Sequence, residues 1–75
     1  MKIVISNPQA QKTTTDTIMN KVRMGNYLSS SKNFGNRTEF HFTDKSCLEV
    51  VEYSTHYVIT DFREWDIKSV TKITK

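Results

Sequence analysis

Residues 37–62, RTEFHFTDKSCLEVVEYSTHYVITDF, decide the fold. Phe40 and Phe42 alternate with Glu39 and His41, the period-two pattern of a strand with one apolar face. His41 thereby falls on the face of Glu39, opposite both phenylalanines. Asp44-Lys45-Ser46 supplies a turn, and Cys47 to Tyr53 follows, dense in β-formers. Its alternation breaks at Val50-Val51, where a bulge is expected. Ser54-Thr55 makes a tight connection, and His56 to Phe62 alternates again, Tyr57 and Ile59 against Val58 and Thr60. Connections this short join antiparallel neighbours.

The pattern extends in both directions. Arg63 to Asp66 turns the chain into Ile67–Thr74 (IKSVTKIT), a β-branched last strand. On the other side, Ser29–Asn36 (SSSKNFGN) is polar and carries Gly and Asn, which predicts a surface loop. Asn7-Pro8 predicts a helix start, because Asn caps free N–H groups and Pro fits the first helical position. Gly25-Asn26 predicts the stop. Between them Ile18, Met19 and Val22 give one narrow apolar stripe. The Thr13-Thr14-Thr15 run is poor in helix propensity and places the start of the stable helix at Thr15 or Asp16. Lys2–Ser6, with Ile3 and Ile5 on one side, predicts a short first strand. The expected order is β-α-β-β-β-β. This is one α+β domain over residues 1–75, a small antiparallel sheet of four to five strands with one helix packed on a face.

Seventy-five residues leave room for one domain with a thin margin of stability. Cys47 is the sole cysteine, so no internal disulfide is available. The bland reading of Cys47 is a half-buried strand residue. No apolar run approaches the ~18 residues of a membrane span. The opening Met-Lys-Ile-Val-Ile-Ser is far short of a signal peptide's apolar region. A cytoplasmic location follows as the expectation, the host cytoplasm if a phage encodes the chain.

Much chemistry is disfavoured. Gly25 and Gly35 are the only glycines, which leaves no Gly-rich phosphate cradle. His41, Cys47 and His56 lack the close ligand pairs of zinc sites. Cys47 lies between Asp44 and Glu49, acids that raise a thiol pKa, so it makes a poor nucleophile with either histidine. Glu64 and Asp66 read as solvated turn charges. The expectation is a non-enzyme with no catalytic residue, no metal and no cofactor.

The net charge of +3 conceals a segregation. Residues 1–38 carry Lys2, Lys12, Lys21, Arg23, Lys32 and Arg37 against Asp16 alone. Residues 39–66 carry Glu39, Asp44, Glu49, Glu52, Asp61, Glu64 and Asp66 against Lys45 and Arg63. Lys68, Lys72 and Lys75 make the end basic again. The plain explanation is mutual compensation on the surface; the functional one is a two-sided binding surface.

Small size, aromatic strands, split charge and missing catalytic motifs together predict a small non-catalytic inhibitor or adaptor. Its partner is a larger host protein or ribonucleoprotein complex. The bias toward Lys, Asn, Ile and Thr suits an A/T-rich phage or mobile element, for example an anti-CRISPR or another host-defence antagonist. Arg37, Tyr53, Tyr57 and Trp65 are the candidate anchors, because Trp, Tyr and Arg dominate interface energetics. The alternative is a basic nucleic-acid-binding protein using Lys12, Lys21, Arg23, Lys32, Arg37, Lys68 and Lys72. A homodimer through an edge strand, Lys2–Ser6 or Ile67–Thr74, is compatible with either.

Overall fold

Asn7 caps the helix that the Asn-Pro pair predicts. In a computed structural model, which describes residues 5–75, helix α1 spans Pro8–Arg23. Asn7 Oδ1 accepts hydrogen bonds from the amides of Gln9 and Ala10 at 2.9 and 3.0 Å. The helix therefore begins at Pro8 rather than at Thr15 or Asp16. Tertiary burial overrides the weak propensity of the threonines. Ala10 and Thr14 are buried against the sheet, and Thr14 Oγ1 donates to the carbonyl of Ala10 at 2.9 Å. At the other end Asn26 N donates to Lys21 O and Gly25 N to Val22 O, at 2.8 and 3.1 Å. This reverse-turn cap needs a left-handed residue, supplied by Gly25 at φ +84°.

Five strands follow: β1 Leu28–Phe34, β2 Arg37–Phe42, β3 Ser46–Glu52, β4 His56–Arg63 and β5 Asp66–Thr74. They form one antiparallel sheet in the order β1-β2-β3-β4-β5, each strand paired with its neighbour in sequence. The expected surface loop at 29–36 is thus largely a strand. Residues 28–34 are an edge strand with no buried face, so no apolar alternation announces them. They are held by backbone pairing to β2 and by Asn33 Nδ2 donating to Thr38 Oγ1 at 2.9 Å. Gly35, at φ +63°, occupies the first central position of the two-residue β1–β2 turn.

Val50-Val51 carries no bulge, since the β2–β3 and β3–β4 registers run unbroken through it. The two valines point to opposite faces. The irregularities lie between Leu28 and Ser30 in β1, and opposite Asp61 and Phe62, where Lys68 is the extra residue of β5. Of the expected strand Lys2–Ser6, residues 2–4 lie outside the described residues, and Ile5 and Ser6 are in no strand. Ile5 packs on the core, and Ser6 Oγ lies 2.6 Å from Tyr57 Oη.

Among the described residues the core occupies only the helix side of the sheet. It consists of Ala10, Phe40, Phe42, Leu48, Val50, Tyr57, Ile59 and Ile73, with Ile18 partly buried against it. Leu48 is fully buried. Truncating it leaves a cavity in a core too small to relax around it. Leu48→Ala lowers the unfolding free energy by about 3 kcal/mol, measured by urea denaturation; a loss under about 1 kcal/mol contradicts this packing.

Candidate docking surface

Strand alternation sends the other half of the side chains to the face away from α1. Among the described residues no element covers that face. Reading across paired positions from β1 to β5, one row is Ser30, His41, Cys47, Phe62 and Ile67. The next is Lys32, Glu39, Glu49, Thr60 and Val70, and the third is Phe34, Arg37, Val51, Val58 and Lys72. The face is therefore charged over β1–β3 and mostly apolar over β4–β5.

The charged half is a connected network. Arg37 contacts the Glu39 carboxylate and places Nε 2.7 Å from Glu49 Oε2. Its guanidinium stands 5.9 Å from the centre of the Phe34 ring, a cation–π distance. Glu39 Oε1 lies 3.3 Å from His41 Nε2, and His41 Nδ1 lies 3.3 Å from Cys47 Sγ. One guanidinium shared by two carboxylates fixes these side chains and leaves Arg37 compensated rather than free to hold a phosphate. Burial pushes the Cys47 thiol pKa up and the charge of Glu39 pushes it further, while Lys21 pulls it down and Glu49 adds the smallest upward push. The arrangement keeps the thiol protonated at neutral pH.

The apolar half consists of Val51, Val58, Phe62, Ile67 and Val70, and it runs toward the β4–β5 turn. Ile67 and Val70 are 66% and 59% exposed, more than either need be if the face were covered. At the turn, Glu64 holds φ +53°, a conformation that an L side chain adopts at a cost of about 1–2 kcal/mol. Trp65 follows it and is 96% exposed.

The expected anchors are thus dispersed. Arg37 lies on the open face, and Tyr53 is about half exposed, its ring stacked on His56 at 4.8 Å. Tyr57 is not an exposed anchor. It is 1% exposed in the core, because its strand parity turns it toward α1, and its hydroxyl donates to Glu52 Oε2 at 3.2 Å. Of the basic residues, Lys12 and Arg23 project from α1, whereas Lys32, Arg37 and Lys72 lie on the opposite face of the sheet. Lys68 sits at the β5 bulge. Lys21 turns inward, with Nζ 3.0 Å from both Ser46 Oγ and Asp61 Oδ1 and 4.9 Å from the Phe42 ring centre. The seven basic positions therefore share no single surface. Sequence reasoning passed over Phe62, Ile67 and Val70. The apolar residues of β5 alternate imperfectly because Lys68 interrupts the parity.

Two carboxylates outside the open face are held in their charged form. Hydrogen bonds from Ser46 Oγ and N hold Asp44 below the ordinary carboxylate range. Hydrogen bonds from Lys75, at 2.7 Å, and Tyr57 do the same for Glu52. A cleft of about 40 Å³ beside Asn33, Asn36, Glu52 and Tyr57 has room for water but not for a ligand of ordinary size. Among the described residues no group of His, Cys, Asp or Glu is arranged to hold a metal ion, and no helix is long and apolar enough to cross a membrane.

Two measurements check these electrostatics. A carboxyl whose folded pKa is depressed stabilises the fold above its unfolded pKa and loses that contribution as pH falls through the folded value. Stability therefore declines on acidification below about pH 4.5, and Asp44→Asn flattens part of the decline in urea titrations at stepped pH. For Cys47, alkylation by iodoacetamide at neutral pH is slower in the native protein than in urea, and Glu39→Gln speeds the native reaction. A native rate equal to the unfolded one contradicts the raised pKa.

No family model matches this chain, and no curated protein or solved structure matches it significantly.

Proposed function

We propose that this chain is a small non-catalytic binding protein that docks on a larger protein through its β4–β5 hairpin and the adjoining open sheet face. The observation that carries the reading is Trp65, 96% exposed at the tip of a hairpin whose preceding residue, Glu64, is in a disfavoured conformation. A solvated indole contributes nothing to folding, and tryptophan is the side chain most enriched at interface hot spots. Phe62, Ile67 and Val70 continue the apolar surface from the tip onto the sheet, so an inserted Trp65 would be ringed by contacts that exclude water.

An inhibitor or adaptor of a host protein or ribonucleoprotein complex, the role that anti-CRISPR proteins play, needs only such docking. Nucleic-acid binding is less well supported. Phosphate tracks need cations along one surface, whereas here Lys12 and Arg23 are on the helix side, Lys21 is turned inward, and Glu39 and Glu49 stand in the middle of the open face.

The test is capture of partners by tagged protein from the cell that expresses it. Wild type and Lys12→Ala retain one stoichiometric protein, whereas Trp65→Ala weakens its affinity by about thirtyfold, or ~2 kcal/mol. The substitution is at a fully exposed position and shifts stability by no more than about 0.5 kcal/mol. Recovery of no protein partner, or capture indifferent to Trp65→Ala, contradicts the proposal.

A further inference from the structure

The outer edge of β5 is the longest strand edge in the molecule, and among the described residues no strand pairs with it. Which of its backbone groups are free follows from the ladder. Lys75 N donates to Thr55 O, and hydrogen-bonded pairs alternate along an antiparallel ladder. Ile73 and Thr71, opposite Tyr57 and Ile59, therefore bond inward to β4, whereas Thr74, Lys72 and Val70 point their N–H and C=O groups out of the sheet. The placement of Asn7 agrees: its Nδ2 donates to the carbonyl of Thr74 from outside, at 3.0 Å. That contact blocks one end of the edge. Val70 and Lys72 remain, beside the exposed side chain of Ile67 and close to the Trp65 hairpin tip.

The charges on this edge select its occupant. Between Ile67 and Thr74 the only ionisable side chains are Lys68 and Lys72. Lys72 is exposed on the open face, and Lys68 is 58% exposed, with Asp66 no nearer than 4.0 Å. Lysines on an edge discourage strand pairing between copies. In the register that overlaps the whole of β5 with a second copy, Lys68 stands against Lys72 of its mate. A strand with carboxylates at those places gains where a second copy loses.

Resting on the docking reading above, the geometry points to strand addition: an extended, acidic segment of the protein partner pairs with the outer edge of β5 at Val70 and Lys72. The ladder supplies main-chain hydrogen bonds, Ile67 and Val70 take apolar side chains on the open face, and Lys68 and Lys72 take carboxylates.

The test is amide NMR of the full chain titrated with the short capped peptide Thr-Glu-Thr-Val-Thr-Glu-Thr, whose Glu and Val side chains share one face of an extended strand. The amides of Val70 and Lys72 are exchange-labile in the free protein and gain protection on binding. The peptide Thr-Lys-Thr-Val-Thr-Lys-Thr, with lysines in place of the carboxylates, binds about tenfold more weakly. Val70→Pro removes an outward N–H but no bond of the β4–β5 ladder, so the fold persists and peptide binding is lost. Lys68→Glu with Lys72→Glu reverses the peptide preference and guards against a merely structural effect of the proline. Several results overturn the proposal: amides already protected in the free protein, no shifts at Val70 and Lys72, peptide binding unchanged by Val70→Pro, or tighter binding of a dT oligonucleotide at the same amides. If these fail while partner capture still depends on Trp65, docking through the hairpin stands and only strand addition falls. If capture is indifferent to Trp65→Ala, the docking reading itself falls.

Discussion

One helix has to bury one face of a five-strand sheet, and it has no surface left for the other. Every other feature depends on that constraint. The residues that α1 covers, from Phe40 and Phe42 through Leu48 to Ile59 and Ile73, form the core on one side of the sheet. The helix that closes it is polar, with Ala10, Thr14 and Ile18 as its inward line. Small residues at 10 and 14 let the helix backbone come close to the sheet. Among the described residues the opposite face has no second layer, and the Arg37, Glu39, Glu49 and His41 network partly stabilises it.

The two faces use charge differently. On the helix side Lys21 is largely removed from water and is compensated there by Asp61, Ser46 and the Phe42 ring. Removing one partner of such a group leaves the other buried without its complement, which costs more than the pair contributes. On the open side the charges are half exposed and tie neighbouring strands together. Among the exposed large apolar side chains, Trp65, Ile67 and Val70 cluster along one hairpin. Exposed large side chains scattered singly need no explanation, but a contiguous group beside a disfavoured turn does.

The central strands were legible because they are half buried. Alternation around Phe40, Leu48 and Ile59 is the record of a one-sided core. The helix limits were legible at Asn7-Pro8 and Gly25-Asn26, where specific backbone chemistry is needed. The same logic explains what was not legible. β1 is exposed on both faces, so Ser29–Ser31 look like a loop although their backbone pairs. Thr13–Thr15 look like helix breakers because propensity cannot register that Thr14 is packed against the sheet. The Val50-Val51 doublet imitates a bulge merely by placing an apolar residue on each face. At the candidate surface, Arg37 and Trp65 were nameable from residue type alone. Tyr57 reads as an anchor by type because aromatic character does not tell an anchor from a core residue; only its parity with Ile59 does.

Docking through the β4–β5 hairpin requires a tip that is bare in the free protein. Trp65 is the only tryptophan in the chain, so its fluorescence reads that position without labelling. In the folded, partner-free protein the emission maximum and the acrylamide quenching constant lie close to those of N-acetyltryptophanamide. A blue-shifted, quench-resistant emission that is independent of protein concentration would show that the indole is already buried within the chain, and would contradict docking through this hairpin.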